Sequence, residues 1–238
     1  MPDLSQPREW LVRAASVAVL TGAGISAESG VPTFRGPGGL WRDYRPEDLA
    51  TPQAFERDPK LVWEWYNWRR ERIAGAGPNA AHRALVEIEK RTPRFTLITQ
   101  NVDGLHDLAG SGKILKLHGD IWRLRCTVCG AEFPNRRVPL PKIPPHCACG
   151  GLARPGVVWF GEPLPPGIMQ EAEHAARSAE LFLVIGTSAV VYPAAGLIPL
   201  AKEGGAKVIE INLEETAFSQ IVDCALRWPA AEILPQLL

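Results

Sequence analysis

Four of the five cysteines lie between Cys126 and Cys149, and the fifth, Cys224, stands alone. Cys126-x-x-Cys129 and Cys147-x-Cys149 set four thiolates on two tight turns, the ligand supply that a tetrahedral structural zinc requires. Four sulfur ligands leave no position open for water, so one such Zn²⁺ would hold a fold together and perform no catalysis. His146, beside Cys147, is an alternative ligand. The stretch is rich in Pro, Arg and Gly, a poor setting for free core thiols. A chain this long needs no disulfide staples, which leaves metal as the better reading.

A second group of residues has the pattern of a phosphate-binding turn. Gly22-Ala23-Gly24-Ile25-Ser26-Ala27 fits G-x-G-x-x-A directly after an apolar run, an arrangement that brings backbone N–H groups close to a pyrophosphate. By itself the motif equally fits a strand-to-helix turn that binds nothing. A dehydrogenase would show, about 20 residues on, a second strand ending in an acidic residue. That place holds a loop, Phe34 to Gly39, so a dinucleotide is compatible with the turn and hydride transfer is disfavoured. Gln100-Asn101-Val102-Asp103-Gly104-Leu105-His106 and Leu117-His118-Gly119-Asp120 each follow an apolar run and offer amide, carboxylate and imidazole groups. On these residues alone a structural histidine at 118 is the commoner case, and His106 has no assigned role beyond capping a turn.

These groups need a scaffold that brings them together. Ser16 to Leu20, Phe95 to Gln100, Ile114 to Leu117, Leu181 to Gly186 and Lys207 to Asn212 read as short buried strands. Asn79 to Glu89 sets Ala81, Ala84, Leu85 and Ile88 on one helical face, with Asn79 as cap. Strands alternating with helices imply a parallel sheet covered on both faces, with ligands at its carboxyl edge. The expected fold class is α/β, a Rossmann-like parallel sheet domain with an inserted small zinc-ribbon and helical module. The spans expected are 1–35, 79–120 and 156–238 for the discontinuous dinucleotide-binding domain, 36–78 for the helical insertion, and 121–155 for the zinc-binding insertion. A helix in the first insertion begins at Asp58-Pro59, an N-cap followed by proline in the first turn. The second insertion has too little apolar content for a core of its own, so a metal would have to hold it together.

The 26 basic and 26 acidic residues balance, so no global field draws the chain to nucleic acid or an anionic membrane. No apolar run approaches the roughly 20 residues that span a bilayer, and Met1 to Arg13 lacks the apolar core of a signal peptide. The expectation is a cytoplasmic monomer with neither nucleic acid nor membrane as a direct partner. Arg123, Arg125, Arg136 and Arg137 would suit a nucleic-acid-binding zinc ribbon, but net neutrality and the intervening prolines weigh against it.

Together the motifs carry a resemblance that none carries alone. The runs GAGISAESGVPTFRG (Gly22 to Gly36), TQNVDGLH (Thr99 to His106), LHGD (Leu117 to Asp120), the four cysteines, RPGVVWFGE (Arg154 to Glu162), GTS (Gly186 to Ser188) and INLE (Ile211 to Glu214) resemble the sirtuin signature set, in the sirtuin order. The resemblance covers almost the whole chain. It implies an NAD-dependent protein deacylase that binds NAD between a Rossmann-type domain and a smaller one. Gly22, Ala23, Gly24 and Ser26 would line the phosphate turn, with Phe34, Arg35 and Trp41 on the loop over the nicotinamide ribose. Gln100, Asn101 and Asp103 would hold that ribose and the nicotinamide, with Asn101 and Asp103 counted among the catalytic residues. Gly186, Thr187, Ser188, Asn212, Leu213, Glu214 and Ala230 would face the adenosine half. His118 would be the general base. It would help deprotonate the ribose hydroxyls after the acyl oxygen has displaced nicotinamide, so that 2′-O-acyl-ADP-ribose and free lysine result. Val157, Val158, Trp159, Phe160 and Gly161 would pair with an extended acyl-lysine segment as an added strand. Departures from the family pattern are the single residue between Cys147 and Cys149, Val102 in place of isoleucine, and Trp228 where glycine is common.

Tyr66 and Arg69 stand three apart on the helix begun at Pro59 and share a face. From spacing alone the pair reads as a solvated arginine beside core aromatics. The segment also resembles the sirtuin subgroup that removes succinyl and malonyl groups, in which Tyr-x-x-Arg binds the acyl carboxylate, and Ala50 matches the small residue that widens that pocket. The resemblance therefore implies that succinyl-lysine is accepted as well as or better than acetyl-lysine. A simple deacetylase with a structural Arg69 and a mono-ADP-ribosyltransferase using the same NAD site are the alternatives.

Overall fold

The computed structural model describes residues 2–34, 40 and 45–238. After helix α1 (Ser5–Arg13), strand β1 (Ser16–Thr21) is buried along its whole length, as a strand covered on both faces must be. A short helix α2 (Gly24–Ala27) follows the glycine turn. The chain leaves the sheet for α3 (Pro46–Leu49), α4 (Pro52–Arg57) and α5 (Pro59–Ala74), and returns through α6 (Ala80–Arg91). Then come β2 (Arg94–Thr99), α7 (Leu105–Ala109) and β3 (Ile114–Lys116). A second excursion comprises β4 (Gly119–Cys126), β5 (Glu132–Pro134) and β6 (Ala153–Val157). The remainder is α8 (Pro166–Ser178), β7 (Leu181–Ile185), α9 (Leu197–Glu203), β8 (Lys207–Ile211), β9 (Cys224–Leu226) and α10 (Ala230–Ile233).

Six strands form one parallel sheet in the order β3-β2-β1-β7-β8-β9. The chain builds outward from β1 on one side and then from β7 on the other, so the order reverses between them. Connections leave in opposite directions at such a point and open a crevice at the carboxyl ends of the strands. One face of the sheet packs Val19, Leu97 and Leu183 against Leu85 and Ile88 of α6 and the C-terminal Ile233 and Leu237. The other packs Leu20, Phe182 and Val184 against Ala172 and Ala176 of α8 and Leu197 and Ile198 at the start of α9. Asp58 and Asn79 cap α5 and α6 as their positions in the sequence suggest. Strand β9 is an addition to the strands read from sequence: three residues carry no periodicity that separates them from a loop.

The two excursions are not independent modules. Trp63 and Tyr66 of α5 share one core with Ile121 and Leu124 of β4 and with Ala153 and Val157 of β6. The antiparallel sheet β5-β4-β6 is thus backed by α5. Arg70 ties the seam. Fully buried, it donates to the carbonyls of Ile121 (3.2 Å), Asn135 (2.7 Å) and Arg137 (3.1 Å), and to Asn135 Oδ1 (2.8 Å). Its guanidinium also lies over Trp122. Trp63 Nε1 donates to the Ala153 carbonyl (2.8 Å), and Leu140 N–H to Asn67 Oδ1 (2.9 Å).

Beneath the carboxyl edge of the large sheet, His82 and His106 pack with ring centroids 4.8 Å apart and planes tilted by 56°. Burial lowers the His82 pKa to about 4, with Arg83 adding to the shift. Burial, His82 and Lys116 lower His106 to about 3. The unfolded chain, with ordinary imidazoles near 6.5, therefore takes up protons first as pH falls. The contribution of the pair to stability is intact above about pH 6.5 and is lost on acidification towards the folded values, at about 1.4 kcal/mol per pH unit for each ring. His106→Gln, whose amide can still reach Thr21 Oγ1, should reduce the acid slope of unfolding free energy by about that amount between pH 6 and 5 in urea titrations. An unchanged slope would mean that His106 is protonated within the fold.

Candidate active site

The crevice between β1 and β7 deepens into a cleft of about 1460 Å³ that runs from the sheet edge to the small domain. Its floor is backbone. Gly22 N–H donates to the Ile185 carbonyl (3.0 Å) and Gly24 N–H to the Gly186 carbonyl (2.8 Å), joining the turns that follow the two strands. Gly22, Ala23 and Gly24 line the cleft on one side of this seam and Gly186, Thr187 and Ser188 on the other. Asn212, Leu213, Glu214 and Ala230 lie along the same end of the cleft, together with Trp228. Asn212 Nδ2 holds the Glu214 carbonyl (3.0 Å) and reaches the Thr187 carbonyl (3.4 Å).

Gln100 and Asn101 leave the carboxyl end of β2 and face the middle of the cleft. Gln100 Nε2 donates to Thr187 Oγ1 (3.0 Å), bridging the switch point, while Asn101 Nδ2 donates to the Gly22 carbonyl (3.0 Å) and reaches Ser26 Oγ (3.3 Å). Ser26 and Asp103 do not line the cleft; they form a layer behind its wall. Ser26 Oγ donates to Asp103 Oδ2 (2.8 Å), and Leu105 N–H to Asp103 Oδ1 (2.8 Å). Burial pushes the Asp103 carboxyl up against these bonds and the nearby Arg69 charge. His82 Nε2 lies 3.5 Å from Ser26 Oγ, which brings a third group to this layer. Nothing in the sequence marked His82, because a residue at that point of a helix reads as a cap.

His118 lies at the centre. Its Nδ1 is 2.9 Å from the Gln100 carbonyl, which can only accept, so Nδ1 carries the proton and Nε2 is left as the acceptor. Burial lowers its pKa below the usual value, and the Gln100 carbonyl opposes part of that shift. The ring borders the cleft, as do Val157 at the end of β6 and Val158, Trp159, Phe160 and Gly161 in the segment that follows it. Val158 N–H bonds the His118 carbonyl (2.9 Å) and Phe160 N–H the Ala50 carbonyl (2.9 Å), which fixes this segment against both domains. Val190, Val191 and Tyr192 form part of the wall as well. They follow the carboxyl end of β7, the edge at which open α/β sheets bind ligands, but lie beyond the Gly186 to Ser188 motif that carried the resemblance.

Ala50, Tyr66 and Arg69 meet at the small-domain end of the cleft with Phe34 and Trp65. Arg69 is not the solvated arginine that spacing alone favours. It is 7% exposed, and its guanidinium stacks over Phe34 (4.7 Å to the centroid) and Trp65 (4.9 Å). Among the described residues no hydrogen bond or ion pair engages that guanidinium. Burial lowers its pKa, opposed by Tyr66 and Asp103, and pushes the Tyr66 phenol up. Arg35 and Trp41 lie outside the described residues.

Away from the cleft, the sulfurs of Cys126, Cys129, Cys147 and Cys149 all lie within 4.8 Å of one another. The Cys126–Cys149, Cys129–Cys149 and Cys129–Cys147 separations are 3.5, 3.6 and 3.8 Å. A tetrahedron with Zn–S bonds of about 2.3 Å has sulfurs about 3.8 Å apart, so the cluster fits zinc. Val128 and Cys129 N–H groups point at Cys126 Sγ (3.4 and 3.5 Å), as bonds to a thiolate ligand do. Cys224 packs against the core in β9 and is not on the cleft wall.

Known proteins are similar to this chain in sequence and architecture. The profile of the Sir2 family matches residues 22–193. An NAD-dependent protein deacylase of Aquifex aeolicus is 59% identical over 209 residues, 87% of each chain. A mutant Sir2 homologue solved in complex with ADP-ribose superposes with a TM-score of 0.95 at 47% identity, covering 98% of this chain and 94% of that one. A Sir2 structure with p53 peptide and NAD+ gives 0.89 at 32% identity, covering 99% and 97%. A six-stranded parallel sheet with its cleft at the switch point, a four-cysteine ribbon and these matches over nearly the whole length lead to one conclusion: the chain belongs to the Sir2, or sirtuin, family.

Proposed function

We propose that the protein is an NAD-dependent protein-lysine deacylase that takes extended acyl-lysine segments, yields nicotinamide, free lysine and 2′-O-acyl-ADP-ribose, and accepts succinyl-lysine as well as or better than acetyl-lysine. The observation that carries this reading is that the glycine turn, His118 and Arg69 all face one continuous cleft. The relatives' NAD and peptide complexes support the co-substrate and the substrate class. The bare Gly22–Gly24 backbone gives a dinucleotide close approach, and Gln100 and Asn101 offer amides to its ribose and nicotinamide.

His118 holds its Nδ1 proton on Gln100 and presents Nε2 as a base towards the cleft. Its lowered pKa keeps it neutral near pH 7, ready to accept a proton from a ribose hydroxyl. The segment 157–161 supplies a main-chain edge for an extended peptide. At the far end the buried Arg69 guanidinium and the Tyr66 hydroxyl offer donors, matched to an acyl group that ends in a carboxylate.

Incubation with NAD and acetylated or succinylated peptides should give O-acyl-ADP-ribose by mass; ADP-ribosylated protein without deacylated peptide would overturn the reading. His118→Ala should lose well over ~100-fold in turnover, within a range reaching about 10⁴. Because the unprotonated ring is the active form, kcat/KM should fall as pH drops through the His118 pKa, which lies below 6.5.

If Arg69 pairs with a succinyl carboxylate, Arg69→Met should lower the ratio of succinyl to acetyl kcat/KM by about 10- to 150-fold, the fold-change for losing a hydrogen bond to a charged group. Lysine there should recover only part, since a point charge lacks the planar fork. An unchanged ratio would make Arg69 a support for α5. Elemental analysis should find one zinc per chain, and strong chelators should unfold the small domain before the parallel sheet. A fully folded, active protein without zinc would exclude the metal's structural role.

A further inference from the structure

We infer that Trp159 determines acyl specificity through its side chain, by donating to Tyr66 and thereby presenting the Tyr66 hydroxyl to the acyl pocket as an obligate hydrogen-bond donor. The inference rests on the acyl-pocket reading above and adds a third residue to it. Trp159 Nε1 lies 2.9 Å from the Tyr66 hydroxyl oxygen, and an indole nitrogen can only donate. The phenol oxygen is therefore the acceptor of this bond, and its own proton must point elsewhere. Among the described residues that proton meets no protein acceptor. Arg69 on the same helix face, with its guanidinium 5.7 Å from the Tyr66 ring centroid, has donors alone.

Two side chains therefore present only hydrogen-bond donors to one end of the cleft, inside a wall of Phe34, Trp65 and Ala50. A carboxylate, which only accepts, satisfies both. An acyl chain ending in a methyl group satisfies neither, and one ending in a donor meets donors. Burial pushes the Tyr66 phenol up, which keeps the proton in place throughout the neutral range.

Trp159 is held rigidly enough to impose this. It is 3% exposed, packs 5.3 Å from Phe55 and carries the Arg154 guanidinium 3.4 Å over its face. Its backbone N–H donates to Glu162 Oε2 (2.8 Å), which Arg154 Nη2 also holds (2.8 Å). The same Nη2 donates to the Val157 carbonyl (2.9 Å). The clamp that shapes the peptide-facing segment therefore also orients the acyl-pocket donor.

The test compares the ratio of succinyl to acetyl kcat/KM across variants, because both peptides use the same main-chain edge and losses common to both cancel. Replacement of Trp159 by 3-benzothienylalanine keeps the two-ring shape and removes the N–H; Trp159→Phe is the simpler companion. Both should lower the ratio about 2- to 10-fold, the range a single net hydrogen bond supports. Tyr66→Phe should lower it by about 10-fold or more, and in that background the Trp159 replacements should cause no further fall. A further fall there would make Trp159 a packing residue and overturn the inference. So would an unchanged ratio with benzothienylalanine while Tyr66→Phe lowers it, and the acyl-pocket reading would then still stand. If Tyr66→Phe itself leaves the ratio unchanged, the acyl pocket fails first.

Discussion

The site depends on how closely two backbone turns pass at the carboxyl ends of β1 and β7. A Cβ on Gly22 would lie 2.7 Å from the Gly186 carbonyl oxygen, and one on Gly24 2.7 Å from Gly186 Cα. Gly186 itself has φ +59°, and a Cβ there would collide with the Ile25 backbone. Neither turn accepts a side chain without moving the other. The contact fixes the spacing of the two central strands where the sheet order reverses and leaves the cleft floor as bare backbone. Asn101 and Gln100 are then anchored to the Gly22 carbonyl and Thr187 on either side of it.

The second wall of the cleft depends on a different kind of contact. The helical segment and the cysteine ribbon are far apart in the sequence, and the ribbon alone has too little apolar content for a core. Aromatic burial around Trp63 and Tyr66 joins them, and the buried Arg70 donates to three backbone carbonyls and one side-chain oxygen across the seam. Truncating Arg70 would strand those carbonyls, so its role is structural although it adjoins Arg69. Consecutive arginines on one helix thus serve opposite ends: the terminal nitrogens of Arg70 are held by the protein's own acceptors, whereas Arg69 is stacked among rings and faces the cleft.

Much of the scaffold was legible because its signals are local. Apolar runs ending in glycine mark the central strands, Asn79 and Asp58 mark helix starts, and the cysteine spacing marks the metal cluster. His118 and the glycine turn were readable as positions but not as partners. Strand β9 escaped because three residues at a sheet edge carry no period. His82 escaped because a capping position explains it fully, and only the tertiary fold sets its ring beside Ser26 and His106.

The sequence by itself determined the parallel α/β scaffold, the glycine turn, the four-thiolate cluster and the membership of the helix bearing Tyr66 and Arg69 in an inserted segment. Periodicity, caps and ligand spacing act within a few residues, so the linear order is enough to state them. Only the tertiary structure decided that the two insertions are one body, that Arg69 is buried rather than solvated, and that Ser26 and Asp103 stand behind the cleft wall. It also decided that Trp159 reaches Tyr66 across the small domain. Burial and hydrogen-bond direction belong to pairs of residues far apart in the chain, and they take a value only once packing has brought the pair together.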